Sequence, residues 1–485
     1  MRRLTPPGLG DVGRTRHPAV VVAVLATTGT CMSLMQTLVI PLIPELPTLL
    51  NTSASNASWV ITATLLVAAV ATPVVGRLGD MYGPKRLLIA CAILMTVGSL
   101  IAASTSAWVP VVIGRALQGF GVPIVPLGIS VLRTCVPAHR VGTAMGLMSA
   151  SFGVGGALGL PLAAIIADHF DWHAVFWFAA VLGALSGVLF AVLVPRIPSV
   201  SADRLDPLGA LGLAAGLVTL LLGISKGGSW GWGSATTLGM FAASVVIFAM
   251  FAWWQLRIES PMGDLRTTVK RPVLMTNIAS VAVGFAMFAL ALIGPQILEL
   301  PVATGYGLGL SMVEAGLWLA PGGLAMMVSS PIASRVAAAR GPRFTLTLGC
   351  VIIAASYLAG FVLLGGAWQL CLFNVLVSVG VGFAYSSLPA LINAAVPMSE
   401  TAAANGINAL ARALGTSISS AVIGAVLTGL TISIAGQEFP SLTAFRIGLL
   451  IAAGMAILAG VLAALIPVPE PDQDVAPAEV AASTR

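Results

Sequence analysis

The sequence predicts an all-α integral membrane protein with fourteen transmembrane helices arranged as six, two and six. Three observations lead there. Charged residues make up only 8% of the 485, against roughly a quarter in soluble domains. Apolar residues make up 58%, and the mean hydropathy is +1.01. Apolar runs of about 20 residues, the length that crosses a bilayer, recur fourteen times. So low a charged fraction excludes a water-soluble globular enzyme and a disordered scaffold. The lipid bilayer is the first partner the chain requires.

The first six runs cover 19–43, 59–75, 87–107, 108–132, 141–167 and 174–194. A middle pair covers 207–225 and 235–256, and the last six cover 272–298, 315–334, 344–366, 368–395, 401–431 and 447–467. No charge interrupts 344–399, so the break there is placed at Gly365-Gly366. The first run follows basic residues, as in a signal peptide, yet it continues through Ile43 with no small-residue cleavage site and reads as a retained span. Five domains follow: a cytoplasmic tail 1–18, a six-helix bundle 19–194, a two-helix insert with its loops 195–271, a second bundle 272–467, and an acidic, Pro/Ala-rich tail 468–485 expected to be disordered.

Orientation comes from the basic residues. With the N-terminus in the cytoplasm, 19 of the 23 Lys and Arg fall in the tails and inner loops. Outer segments hold only Lys226 and Arg446, while Arg115 and Arg412 lie within spans. That bias places both termini in the cytoplasm and the chain, multi-pass, in the cytoplasmic membrane. It also assigns the net charge of +6 to topology, so no nucleic-acid partner is expected. Cys31, Cys91, Cys135, Cys350 and Cys371 form no CxxC pair and are odd in number, which indicates neither a disulfide framework nor a zinc site. Asp168, His169, Asp171 and His173 crowd a short outer loop; Asp171 reads as a helix cap, and no metal site is expected.

The chain repeats itself. GRLGDMYGPK at 76–85 aligns without a gap with SRVAAARGPR at 334–343, an offset of 258. Val136-Pro137 and Gly146 align with Val396-Pro397 and Gly406 at an offset of 260. Two six-span halves around an insert are the simplest arrangement, and repeated halves favour a carrier that rocks about a site between them.

The 76–85 segment, with Gly76, Arg77, Gly79, Asp80, Gly83, Lys85 and Arg86, resembles the signature inner loop of the major facilitator superfamily. Gly83-Pro84 turns the chain sharply, and Asp80 can pair with a neighbouring Arg or sit at a helix N-terminus. The resemblance implies that this loop latches the inner side of the two halves. Ala338 replaces the Asp in the second copy, so an asymmetric latch is expected. Arg115, Gln118, Gly119 and Gly121 in span four resemble a second signature of the superfamily. A guanidinium inside a bilayer is a functional candidate by default; the structural alternative is an Arg held by backbone carbonyls. GVGGALGLPLAA at 153–164, with Gly155, Gly159 and Pro161, resembles the glycine-proline bend of its exporters, although Pro161 is displaced by one position and Ala163-Ala164 stand where a Gly pair is usual. DPLG at 206–209, GSWGWG at 228–233 and ESPMGDLR at 259–266 narrow the resemblance to the fourteen-span drug:proton antiporters.

That resemblance implies a secondary transporter exporting amphipathic small molecules in exchange for protons, monomeric and without a cofactor. One departure bears on coupling. Met35 occupies the span-one position where those antiporters carry an Asp, and no span has a carboxylate at its centre. Buried carboxylates are the usual proton carriers, so Glu45, Asp80, Asp168, Glu299 and Glu314 at span ends are left, with Glu299 and Glu314 favoured at an outer vestibule. Arg412, with Asn405 and Asn408 nearby, joins Arg115 as a second buried cation, which points to neutral or anionic amphiphiles. Gln36 is the polar candidate of span one, and Met32, Met35, Met145, Met148, Met287, Met326 and Met327 suit a permissive pocket. A lipid or glycolipid exporter of the same fold shares every feature; a nutrient importer of the superfamily is a closer rival than an enzyme, and the resemblance of the span-five pattern and the two-span insert argues against it. A membrane-embedded enzyme is not expected, because all four His lie outside the spans and no GxSxG, HExxH or GxxxxGK[ST] occurs.

Overall fold

The computed structural model describes residues 18–39, 42, 46–197, 206–258, 268–397, 400–434 and 437–467. The basic N-terminal tail, Glu45, the 259–266 segment and the acidic C-terminal tail lie outside the described residues.

Fourteen long helices account for most of the chain. In the first half α1 spans Pro18–Thr37, α2 Trp59–Tyr82, α3 Pro84–Ala103, α4 Trp108–Cys135, α5 Ala138–His169 and α6 His173–Leu193. The insert comprises α7, Pro207–Trp230, and α8, Ala235–Gln255. The second half has α9 Arg271–Glu299, α10 Met312–Arg340, α11 Pro342–Ala359, α12 Ala367–Ala395, α13 Thr401–Gly429 and α14 Leu442–Ala464. Among the described residues, thirteen of these are both long and apolar enough to cross a bilayer; α5, with 32 residues, has the length as well. An antiparallel hairpin of two short strands, Thr431–Ile434 with Gln437–Pro440, joins α13 to α14, where the apolar run had suggested helix as far as Thr431.

The repeated segment builds the same corner twice. Gly83 ends α2 at φ +89° and Gly341 ends α10 at φ +86°, conformations that disfavour any side chain. A proline begins the next helix each time, at its first position, where the missing N–H costs nothing. The next residue is basic in both copies. Lys85 donates to the carbonyls of Ala191 and Val194 at the end of α6, and Arg343 to the carbonyl of Ala464 at the end of α14. Each half thus has its sixth helix closed by a cation on its negative dipole end.

The three largest apolar cores follow from this packing. One, around Phe285, Tyr357, Phe373 and Phe445, fills the second half. Two fill the first half, one around Leu25, Met32, Met95 and Phe190 and the other around Leu38, Val60 and Phe176. The halves meet along two helix pairs, α5 with α10 and α2 with α13. Helix α7 packs into the groove of the second pair through Leu217 and Leu221 on Ala69 and Leu410. Asp206 anchors the insert: it caps α7 at the Gly209 N–H and accepts from Trp254 Nε1 and Gln255 Nε2 at the end of α8. Lys226, near the other end of α7, donates to Ser58 Oγ and lies 4.8 Å from the Trp59 ring at the start of α2.

Candidate functional site

The face carrying the Gly-Pro corners holds a hydrogen-bonded junction between the halves. It is the face with the excess of basic residues, and is called inner here. Asp80, 2% exposed, accepts from the backbone N–H groups of Ala402, at 3.3 Å, and Ala403, at 3.0 Å. These are the second and third residues of α13, whose first-turn amides have no intrahelical acceptor. The carboxylate therefore caps a helix of the opposite half and faces the positive end of its dipole. Two glycines allow the approach: a Cβ on Gly76 would stand 2.8 Å from the Ala402 carbonyl oxygen, and one on Gly406 3.0 Å from that of Thr72.

Beside it lies a contact that the sequence motifs did not single out. Arg133, at the end of α4, donates to Thr401 Oγ1 and, at 3.0 Å, to the Asn393 carbonyl on α12. Asn405 donates to Asn393 Oδ1 at 2.7 Å and to the Thr401 carbonyl, so it belongs to this inner junction. Arg133 and Asn393 are separated by 260 residues, the repeat offset; that spacing was the available signal.

Arg115 lies in the first half with no acidic partner among the described residues. Its Nε donates to the Val60 carbonyl at 3.1 Å, and its Nη1 to Gln118 Oε1 at 2.6 Å. Gln118 in turn donates to Ser99, and Thr64 to the Arg115 carbonyl. The whole group, with Arg115 4% exposed, ties α2, α3 and α4 together. Gly119 sits against α2, where a Cβ would stand 2.6 Å from the Thr64 carbonyl oxygen.

The second half holds the other cation. Arg412 is half-buried in α13; its Nη1 donates to Asn408 Oδ1 at 2.5 Å, and its guanidinium carbon lies 5.1 Å from the Tyr385 ring centroid. Asn408 donates to Asn277 Oδ1 at 3.0 Å and to Ser280 Oγ at 2.7 Å on α9. Tyr385 donates to the Met287 sulfur. The structure does not bring Arg412 to Arg115, nor Asn405 to Asn408's network.

The remaining candidates have local roles. Glu314 forms a reciprocal capping box with Ser311 at the start of α10 and is exposed, as is Glu299 at the end of α9. Gln36 is exposed near the end of α1, whereas Met35 is buried in the first-half core. Met32, Met145, Met148 and Met326 are buried as well, and Met327 is exposed. Gly155 and Gly159 let α5 approach Ser33 and Thr37 of α1, and Pro161 lies against Gly316 of α10. Asp171 stands one residue before the α6 cap position, Trp172, rather than at it, and accepts from the His173 N–H; that bond and the His173 imidazole hold its carboxyl below the ordinary carboxylate range.

Comparison with known proteins bears on what such a pair of halves belongs to. The family model described as Major Facilitator Superfamily matches residues 25–420. An uncharacterized MFS-type transporter of Mycobacterium tuberculosis is 27% identical over 417 residues, 84% of this chain; the chain spans only 58% of that relative's length. The tetracenomycin C resistance and export protein of Streptomyces glaucescens is 26% identical over 440 residues, 90% of this chain and 79% of its own. Among solved structures, the human organic anion transporter MFSD10 superposes with a TM-score of 0.67 over 92% of this chain and all of its own, at 15% identity.

Proposed function

The chain belongs to the major facilitator superfamily, and from that premise we propose that it exports amphipathic small molecules, such as drugs, antibiotics or specialised metabolites, across the cytoplasmic membrane by alternating access. The observation that carries the reading is the junction of α2 with α13. A closure made of one carboxylate on two backbone amides, beside one Arg on a hydroxyl and a carbonyl, consists wholly of bonds between the halves and so can part as they separate. That is the behaviour an alternating carrier needs from its inner gate. Similarity to a resistance and export protein supports the outward direction. The excess of basic residues on the gated face supports cytoplasmic termini.

Within this proposal the 76–86 segment is the latch, and the α1–α5 contact through Gly155 and Gly159 is the close-packed seam inside the first half. Exchange for protons would have to run through an acid at a helix end, Asp80, Glu299 or Glu314, because no carboxylate is described at the middle of a span. Reconstitution in liposomes with a graded panel of amphiphiles tests the proposal. Export predicts protein-dependent movement of some of them, and a lipid or glycolipid exporter predicts movement of lipid analogues instead. A nutrient importer predicts movement of polar solutes only, and that result would overturn it.

A further inference from the structure

We propose that the Arg412 network in the second half is an anion-binding site. It would take the carboxylate or sulfonate of an amphipathic substrate, which an inside-negative membrane potential then drives outward without proton exchange. The inference rests on the export reading above and names the substrate class and driving force for it.

Position comes first. Arg412 stands eleven residues beyond Thr401, about 16 Å along α13, near the middle of a hydrocarbon layer about 30 Å thick. A cation there is costly unless something neutralises it. Its described partners, the Asn408 oxygen and the ring and hydroxyl of Tyr385, are all neutral. The described carboxylates stand elsewhere, at helix ends or in connections: Asp80, Asp171, Asp206, Glu299, Glu314, Glu400 and Glu438.

The hydrogen bonds then settle the polarity of the site. Asn408 spends its oxygen on Arg412, so its amide nitrogen must donate, and it does so to Asn277 Oδ1 and Ser280 Oγ. Asn277 thereby has its oxygen engaged, and its Nδ2 is left buried without a partner. Ser280 spends its own hydrogen on the Thr276 carbonyl. Acceptors are consumed within the network, and the Tyr385 hydroxyl takes one more guanidinium N–H. Among the described residues the Asn277 amide is a surplus donor, and a guanidinium has more N–H groups than these two neutral acceptors occupy. One positive charge with surplus donors matches an anion and repels a cation.

Arg115 supplies the contrast. That guanidinium is enclosed and bonded to Gln118 and the Val60 carbonyl, whereas Arg412 is half-buried between Tyr385 and Asn408. Tyr385 and Met287, both half-buried and joined to each other, offer the apolar part of an amphiphile a polarisable surface. Energetically, the substrate carries its own drive. A potential of about 100 mV, inside negative, favours a monoanion outside by about 50-fold, equivalent to about 2.3 kcal/mol. No buried acid is needed for that cycle, consistent with Met35 packed into the first-half core.

The test uses purified full-length protein in liposomes with three matched probes: anionic dansyl-leucine, neutral dansyl-leucinamide and cationic dansylcadaverine. A potassium–valinomycin potential is imposed in either sign, and a pH gradient separately. Dansyl-leucine uptake is expected to follow an interior-positive potential, to reverse with its sign, and to ignore the pH gradient. Arg412→Gln is expected to lower that uptake at least tenfold, with Arg412→Lys retaining much of it. Melting temperature checks that each variant is folded, and dansyl fluorescence reads binding, which Arg412→Gln is expected to weaken along with the uptake. Equal uptake by wild type and folded Arg412→Gln overturns the anion site. So does movement of dansylcadaverine by the pH gradient with dansyl-leucine left behind, an outcome in which export itself survives. If no probe binds or moves, the inference fails together with the export reading.

Discussion

Neutralising Asp80 should open the inner gate by a calculable amount. Asp80→Asn keeps one oxygen for one of the two α13 amides and turns an N–H donor toward the other. The lost charge–dipole interaction is worth up to about 2 kcal/mol in a buried setting. A hydrogen bond to a charged group exceeds a neutral one by about 1 kcal/mol. Closure should weaken by about 2–3 kcal/mol in all, or about 30- to 150-fold in the ratio of closed to open. The reporter is a cysteine at Ala402, which is fully buried against the first-half core, in a background lacking the five native cysteines. Maleimide labelling of that position is proportional to the open fraction, so the effect is measurable even when opening is rare. Asp80→Asn should accelerate labelling by the factor above. Rates within twofold of the parent, in protein that melts normally, would refute the assignment of Asp80 as a latch.

Three other changes probe separate features. Gly76→Val places a side chain on the Ala402 backbone and should destabilise closure by about 1–3 kcal/mol, read as faster labelling in the same assay. Arg115→Ala leaves the Gln118 oxygen without its donor and should cost about 1–3 kcal/mol of stability, seen as a lower melting temperature. Transport per folded molecule should then persist; a normally melting but inactive variant would return Arg115 to the coupling machinery. Lys226→Ala removes a hydrogen bond and a cation–π contact worth about 1–2 kcal/mol together. Hydrogen exchange in the last turns of α7 should quicken by about 5- to 30-fold.

Helix placement was legible because length and hydropathy alone decide what crosses a bilayer. The Gly-Pro corners were legible too, and the repeat showed that they come in pairs. Asp80 illustrates the limit. Its type allows an Arg partner or a helix N-terminus, and no local pattern says that the helix is α13, in the other half of the chain. Arg115 carried both readings, and only its partners favour the one with carbonyl and amide oxygens. Glu314 looks like a vestibule acid from its place at a span end, yet Ser311 stands three residues before it, the spacing of a capping box. Thr431, the first residue of the hairpin, extends span thirteen in the sequence because a β-branched residue there looks as apolar as the end of a helix, and the rest of the hairpin falls in the connection to span fourteen.

The two seams between the halves differ in kind. Along α5 and α10 contact runs from one face to the other: Gly146 lies on Ser330 and Ser334 at the inner end, and Gly316 on Pro161 at the outer end. Along α2 and α13 it runs from Gly76 at the inner face to Ala69 and Leu410 near mid-depth, and α7 lies over it, tied to the start of α2 by Lys226. The molecule is therefore bound like a book. Helices α5 and α10 form its spine, α2 and α13 the facing edges of its covers, and the insert is a flap tied to one cover by Lys226 and resting on both.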